Sequence, residues 1–138
     1  MVNKLTDWIK MDEEGFFGLI GPVYHLQLGP RTARFRFFAE PKHANRGGFV
    51  HGGMLTAFAD RGLGMTARQS DLSRRVATVQ LDVHFLQPAR IGETVEMDCH
   101  VIRETRSLVF LDGTMSISSS AVATARGVWK IIQSTSAP

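Results

Sequence analysis

The distribution of apolar and polar residues predicts one helix followed by several strands. From residue 54 to about residue 69, apolar residues occur on nearly every side of a helical wheel, which is typical of a buried helix. After Val76 the period changes to two. Apolar residues alternate with polar ones over residues 79–85 and again over residues 95–101, as in strands with one buried face.

Further strand-like segments lie on both sides of these. Residues 23–28 and 33–38 flank the turn signal Gly29-Pro30. Two long segments span residues 108–117 and 121–132, with turns near Thr105 and Ser118. The connections are short, so neighbouring strands are expected to be antiparallel. We therefore predict an α+β fold in which an antiparallel sheet curls around one central helix. The chain is expected to be a single domain over residues 1–138, with a helical or irregular lead-in over residues 1–20.

A sheet that wraps one helix leaves its other face or an edge uncovered, and a second subunit is the natural cover.

The composition indicates the class of protein and its cellular compartment. Hydrophobic residues make up 43% and charged residues 21% of the chain, as in ordinary soluble domains. The single cysteine excludes an intrachain disulfide and fits a reducing compartment. The N-terminal residues have no uninterrupted apolar region and no segment approaches the ~20 residues of a membrane span. We expect a cytoplasmic protein without a membrane partner.

The net charge of +3 arises mainly from arginine rather than lysine. An ordinary solvated surface would explain it, and so would contacts with a phosphorylated ligand, because the planar guanidinium group suits phosphate. No long basic run, zinc-finger spacing or aromatic RNA-binding signature occurs. A nucleic-acid partner is therefore not expected.

The segment His51-Gly52-Gly53 lies directly before the predicted helix. The glycines can simply satisfy an unusual backbone angle. Alternatively, the start of the helix presents unpaired N–H groups and the positive end of its dipole to a ligand oxygen, as in an oxyanion hole. The sequence contains no G-x-S-x-G nucleophile motif, so an α/β-hydrolase fold is excluded.

Asp60 is the lone carboxylate within the apolar helix. It can lie on a narrow solvent-facing stripe or pair with Arg61 or Arg68. The alternative is a carboxylate held in a site for general-base or nucleophilic chemistry. Asp60 and His51 are nine residues apart, about 13 Å along a helix and on opposite faces. If both act on one bond, a second copy of the chain must supply one of them, across a two-fold axis.

The other histidines do not predict a metal site. His25, His84 and His100 fall on polar positions of strands and are expected at the surface. His43 and His51 are eight residues apart without a second cluster of ligands. We predict no metal ion.

Taken together, these residues resemble a known family. The pattern H-x-N-x-x-G-x-x-H-G-G, with an aspartate nine residues after the second histidine, is similar to that of hotdog-fold acyl-CoA thioesterases of the phenylacetate-pathway type. Residues 78–89, followed by Gly92-Glu93, resemble the strand that follows the helix in that family. The resemblance extends over residues 16–132. The positions that match the pattern are His43, Asn45, Gly48, His51, Gly52, Gly53 and Asp60.

The resemblance implies a hotdog fold, a dimer or tetramer with active sites shared between subunits, and hydrolysis of acyl-CoA without a cofactor. It implies that Asp60 is the general base or nucleophile and that the backbone N–H of Gly52 polarises the thioester carbonyl. It further implies that Asn45 positions the substrate or water, that His51 orients the carbonyl side and that Thr78 holds the water. Gly48 and Gly53 would contact substrate, and Arg103 or Arg106 would meet the CoA phosphates.

Two alternatives remain open. A hotdog 3-hydroxyacyl hydratase or dehydratase also uses a histidine and a carboxylate around this helix. A non-catalytic acyl-CoA-binding module would bind substrate without releasing thiol. The acyl group is not predicted by the sequence. Aromatic and apolar residues of the lead-in are candidates either for its pocket or for the core: Trp8, Phe16, Phe17 and Leu19.

Overall fold

A computed structural model of the chain describes residues 8–12, 14–68, 71 and 73–132. Within them, the helices are α1 (Phe16–Ile20) and α2 (Gly52–Ala67), and a short 3-10 turn spans Pro41–His43. The strands are β1 (Ile9–Lys10), β2 (Tyr24–Gly29), β3 (Thr32–Phe38), β4 (Arg75–Phe85), β5 (Thr94–Glu104), β6 (Leu108–Ile117) and β7 (Ser120–Ile132).

All described strands belong to one antiparallel sheet with the spatial order β1-β2-β3-β5-β6-β7-β4. The chain leaves the sheet after β3, forms α2 across its concave side and re-enters at the far edge as β4. The turns predicted near Thr105 and Ser118 are present, between β5 and β6 and between β6 and β7. Ser118 and Ser119 both have positive φ angles, 48° and 68°, which suits the tight turn between β6 and β7.

The core lies between the sheet and one face of α2. Alternate residues of the central strands are fully buried, among them Phe35, Phe37 and Met97. Gly62 permits this packing, because a side chain there would collide with Met97 and press on Phe35. The buried residues of the helix are Met54, Leu55, Phe58, Ala59, Gly62, Leu63, Thr66 and Ala67.

The long helix differs from its prediction in two respects. It begins at Gly52, two residues earlier than expected, because His51 caps its N-terminus. It is also buried on one face rather than all round. Asp60, Arg61 and Gly64 are only half-buried, since the sheet of one chain contacts one side of the helix. The apolar surroundings of Asp60 in sequence therefore do not enclose it in space.

The alternation over residues 79–85 predicted a strand with one buried apolar face, and this is wrong for two of its residues. Val79 and Phe85 are 59% and 55% exposed. β4 is the edge strand and has β7 as its one neighbour in the sheet. A bulge between Thr78 and Gln80 also interrupts the pairing, which changes the face to which the following side chains belong.

The lead-in contains a short helix and a two-residue strand that pairs with β2. Only one or two short strands were expected before the helix, and a strand as brief as β1 leaves no periodic signal. The segment is fastened to the 3-10 turn by side chains. Lys42 Nζ donates to the carbonyl of Gly21 at 2.6 Å, and His43 Nε2 lies 2.6 Å from the carbonyl oxygen of Ile20.

Candidate active site

His51 caps the long helix with its own side chain. The backbone N–H of Gly53 donates to His51 Nδ1 at 2.7 Å, so the ring carries its proton on Nε2 in this arrangement. A side chain at position 53 would lie 2.9 Å from Nδ1, which is too close, and this explains the glycine. The N–H of Gly53 is therefore already hydrogen-bonded to His51. The Nε2–H of His51, whose ring is held in place by this bond, can donate to a ligand.

Gly52 is the first residue of α2. Its N–H makes no hydrogen bond to any described residue, as expected at the first position of a helix. The ring of Phe85 lies against it, with Cζ 3.3 Å from where a Cβ of residue 52 would be. The free N–H and the positive end of the helix dipole together form a place where a developing negative charge on oxygen is stabilised.

Asn45 organises the loop before the helix. Its Oδ1 accepts from the backbone N–H groups of Gly47 and Phe49 at 2.9 and 3.1 Å. Gly48 has a φ of 85°, a conformation that residues with a side chain rarely adopt. The carboxamide nitrogen of Asn45 makes no hydrogen bond within the described chain. Asn45 is therefore a loop-forming residue, and its NH₂ group remains available to substrate or water.

His43 is a structural residue whose importance sequence reasoning missed. It is 3% exposed, its Nδ1 accepts from the N–H of Glu40 at 3.0 Å, and its backbone oxygen accepts from the N–H of His51 at 2.7 Å. Since Nε2 contacts the lead-in, this one ring joins the lead-in to the loop that carries His51. The sequence signal for this structural role was the position of His43 as the first histidine of the motif.

Asp60 projects from the opposite side of the helix, toward the edge strand. Thr78 Oγ1 donates to Asp60 Oδ1 at 2.6 Å, which brings together two of the predicted catalytic residues. Among the described residues Asp60 forms no ion pair, so the expected alternative of pairing with Arg61 or Arg68 is wrong. The carboxylate is held by a hydroxyl group and is half-buried, a setting in which it can accept a proton from water.

An open depression of about 390 Å³ lies beside this pair. Phe17 lines it, whereas Phe16 and Leu19 are exposed elsewhere and Trp8 stacks with Arg36. The lining comprises Phe17, Asp60, Arg61, Gly64, Met65, Arg68, Arg75, Val76, Thr78 and Trp129. A larger depression of about 610 Å³ lies on the polar outer face of the sheet, around Arg34 and Asp98, remote from this chemistry.

Arg61 was not assigned a role from sequence. Its Nη2 donates to the carbonyl of Asp12 at 3.2 Å, and its guanidinium carbon lies 5.3 Å from the centre of the Phe17 ring. Its Nε is buried without a partner within the described residues. His25, expected at the surface, is instead half-buried and stacks on Phe35. Burial, and secondarily the charge of Arg61, lowers the pKa of His25.

The two arginines proposed for CoA phosphates lie away from this depression. Arg103 is exposed near the end of β5, and Arg106 lines a separate depression with Ala77 and Lys130. Within one chain neither joins the Asp60 site. Their contact with CoA stays a prediction.

The predicted distance between the two halves of the site follows from the observed helix. α2 runs without a break from Gly52 to Ala67, so His51 and Asp60 are separated by about 13 Å along the axis and half a turn around it. One chain therefore contains two candidate halves of a site, an electrophilic half near Gly52 and a carboxylate half near Asp60, which do not meet.

No cluster of three or more histidine, cysteine, aspartate or glutamate side chains suited to a metal ion occurs in the described part of the chain. Over the same residues, neither helix has the length and apolar character needed to cross a lipid bilayer.

The family sequence profile described as "Thioesterase superfamily" matches residues 47–123, which is more than half of the chain. A Pseudomonas aeruginosa protein named "Putative esterase PA0474" is 31% identical over 114 residues, which cover 82% of this chain and 85% of that protein. The chain belongs to the thioesterase superfamily.

Two more distant similarities agree with this. Human acyl-coenzyme A thioesterase 13 is 21% identical over 129 residues, which cover 92% of each chain. The structure of the Escherichia coli PaaI protein from the phenylacetic acid degradation operon superposes with a TM-score of 0.77 at 18% identity, covering 82% of this chain and 81% of that one. The predicted hotdog fold and the predicted family are confirmed.

Proposed function

We propose that the protein hydrolyses acyl-CoA thioesters to the free acid and CoA, with Asp60 as the attacking group. The observation that carries this proposal is the hydrogen bond between Thr78 and Asp60 at the edge of an open depression, in a chain of the thioesterase superfamily. A half-buried carboxylate without a cationic partner is suited to receive a proton from water, or to attack a carbonyl carbon itself.

In the proposed reaction the oxygen of water bonds to the thioester carbonyl carbon while its proton passes to Asp60. The C–S bond then breaks, and the proton goes to the departing thiolate. Thr78 holds the carboxylate and the water in line. The N–H of Gly52 stabilises the oxyanion, a single such donor contributing on the order of 10²–10³ in rate. His51 and the NH₂ group of Asn45 orient the carbonyl side.

The proposed site requires two copies of the chain, and the edge strand supports a specific way of pairing them. Asp60 is bonded to Thr78, and Gly52 packs on Phe85. Both contacts lie along β4, seven residues or about 23 Å apart. If two β4 strands pair antiparallel about a two-fold axis near Leu81, Thr78 of each copy lies opposite Phe85 of the other. The carboxylate half of one chain then faces the electrophilic half of its neighbour.

The surface of β4 also favours such pairing. Val79 and Phe85, on this eleven-residue edge strand, are 59% and 55% exposed, and Leu86 directly after it is 55% exposed. An edge that is long and apolar invites pairing with another strand. We therefore propose a homodimer as the smallest active unit, which can pair again into a tetramer, with acyl-CoA as its partner. The single buried cysteine is compatible with a cytoplasmic location.

The test is a panel of short, long and aryl acyl-CoA substrates with the purified protein, read by a thiol reagent. We expect thiol release with at least one of them. The rate per enzyme molecule should fall on dilution, because the homodimer is the proposed smallest active unit. Hydration of crotonyl-CoA, seen as loss of ultraviolet absorbance without thiol release, would indicate a hydratase instead. Tight binding of the whole panel without turnover would indicate a binding module. Either result would overturn the proposal.

A further inference from the structure

An indole N–H group that borders the Asp60 depression has no acceptor among the described residues. Trp129 is 1% exposed, lies opposite Thr78 in the sheet and lines the depression. Its Nε1 is the ring atom nearest to the helix, 3.2 Å from where a Cβ of residue 64 would be. Nε1 forms no hydrogen bond within the described residues. Among the described residues, Arg61 Nε is the one buried side-chain nitrogen or oxygen without a partner, so Trp129 Nε1 itself reaches solvent in the depression. A bound ligand that supplies an acceptor there gains an interaction that hydrocarbon cannot make.

The charge of the depression points to the kind of acceptor. Asp60 is the one carboxylate of its lining, and three arginines accompany it: Arg61, Arg68 and Arg75. Arg75 is exposed and forms no ion pair or hydrogen bond within the described chain, and Nε of Arg61 is buried without a partner. A concave surface with this excess of guanidinium groups attracts anions, carboxylates in particular.

These groups lie in a row. Asp60, Gly64 and Arg68 are four residues apart on one helix face, so the row extends about 6 Å and about 12 Å from the reacting carboxylate. On the opposite wall, Val76 lies about 7 Å from Thr78 on the same face of β4, and Arg75, at the start of the strand, also lines the depression. The indole of Trp129 is next to Gly64 and therefore lies about one helical turn from Asp60. A ligand that lies along the row meets the catalytic pair first, then the indole and then the guanidinium groups.

We propose that the depression binds an acyl group that ends in a carboxylate, so that the preferred substrates are ω-carboxyacyl-CoA thioesters of the glutaryl to adipyl size. This inference rests on the proposed thioesterase activity and specifies its substrate class. The thioester carbonyl lies at Asp60, the methylene groups lie against Met65 and Val76, and the distal carboxylate accepts from Trp129 Nε1–H and Arg75. The depression of about 390 Å³ has room for such a chain.

The experiment compares adipyl-CoA with hexanoyl-CoA, which have equal carbon numbers and differ in the terminal carboxylate. Thiol release gives kcat/KM for each, and the ratio of adipyl-CoA to hexanoyl-CoA is the readout. We expect a ratio of roughly ten or more for the wild type, because hydrogen bonds to a charged group are the stronger kind. Arg75→Gln and Trp129→Phe are each expected to lower the ratio about tenfold. Arg31→Gln, in the exposed turn between β2 and β3, is the matched control and should keep the wild-type ratio.

A ratio of one or below in the wild type overturns this inference while the thioesterase proposal stands. Failure to release thiol from any acyl-CoA overturns both. If Arg75→Gln lowers kcat/KM equally for the two substrates, the arginine contacts the CoA phosphates, which both substrates share, and the inference is wrong. Arg75 is exposed, so its variant decides the matter even if Trp129→Phe, at a buried position, does not fold.

Discussion

The two halves of the candidate site are built in different ways. Around Gly52 the polar groups are fastened by local contacts, since Asn45 and His51 accept from N–H groups within four residues of themselves. Asp60 is held instead by Thr78, eighteen residues away on another element. The electrophilic half is therefore preformed by its own loop, whereas the carboxylate half depends on how the edge strand packs. A substitution in the sheet should disturb the second half more than the first.

Asp60→Asn tests the carboxylate half and should have the largest effect. The amide retains the shape and the hydrogen bond to Thr78 but cannot take a proton from water, so kcat should fall on the order of 10³-fold, within the range for general-base catalysis. Thiol release from the best acyl-CoA is the measurement. Asp82→Asn, on an exposed residue of β4, is the control. Wild-type activity in Asp60→Asn would remove this residue from the mechanism.

Gly52→Pro tests the electrophilic half, with an expected loss of about 10²-fold in kcat. Proline removes the N–H group but suits the first position of a helix, and His51 is already extended, at φ −61° and ψ 136°, as a residue before proline must be. Gly52→Ala retains the N–H and adds a similar contact with Phe85, so it is the matched control. Equal losses in both variants would assign the effect to crowding rather than to the N–H.

Thr78→Val tests the dependence of the carboxylate half on the edge strand. It removes the hydroxyl but keeps the shape, and kcat should fall about tenfold, with Thr78→Ser restoring most of it. The same substitution should leave binding of a non-hydrolysable acyl-CoA analogue little changed, as judged by calorimetry. A loss confined to binding would show that Thr78 contacts substrate rather than Asp60.

The smallest expected effect concerns His25, which lies beside Arg61 on the carboxylate side. Its pKa is lowered from 6.5, mainly by burial and then by Arg61. The unfolded chain thus binds this proton at higher pH than the folded chain does. The contribution of His25 to stability is therefore fully present above about pH 6.5 and declines as the pH falls below it. His25→Gln should show a smaller drop in Tm than the wild type between about pH 7.5 and pH 5.5. His84→Gln, at an exposed position, should match the wild type, and an unchanged drop in His25→Gln would contradict this.

The same contrast explains what the sequence could predict. Strand β6 and the turn at Ser118 were predicted closely, because periodicity and turn chemistry are local signals. The loop from Asn45 to Gly53 was recognised because its hydrogen bonds are between near neighbours in the chain, which leaves a compact motif.

Contacts between distant segments were not predictable in the same way. The exposure of Val79 and Phe85 depends on β4 being an edge strand, and no alternation reports a position in a sheet. The approach of Trp129 to Gly64 and the burial of His43 by the lead-in both join segments far apart in sequence. Asp60 was identified as the lone carboxylate within an apolar helix, and Thr78 as a residue that the resemblance implies for holding the water. The direct contact between the two was not predicted.

The claim that one chain supplies only half of each site can be tested by mixing two inactive variants. Asp60→Asn and Gly52→Pro each disable both sites of their own homodimer. If they are unfolded together and reassembled at random, half of the dimers are mixed, and each mixed dimer contains one site with both native residues. We predict recovery of about a quarter of the wild-type activity, against about 1% or less in either variant reassembled alone. No recovery from a mixture shown by mass spectrometry to contain mixed dimers would contradict the account, because the two residues would then act within a single chain.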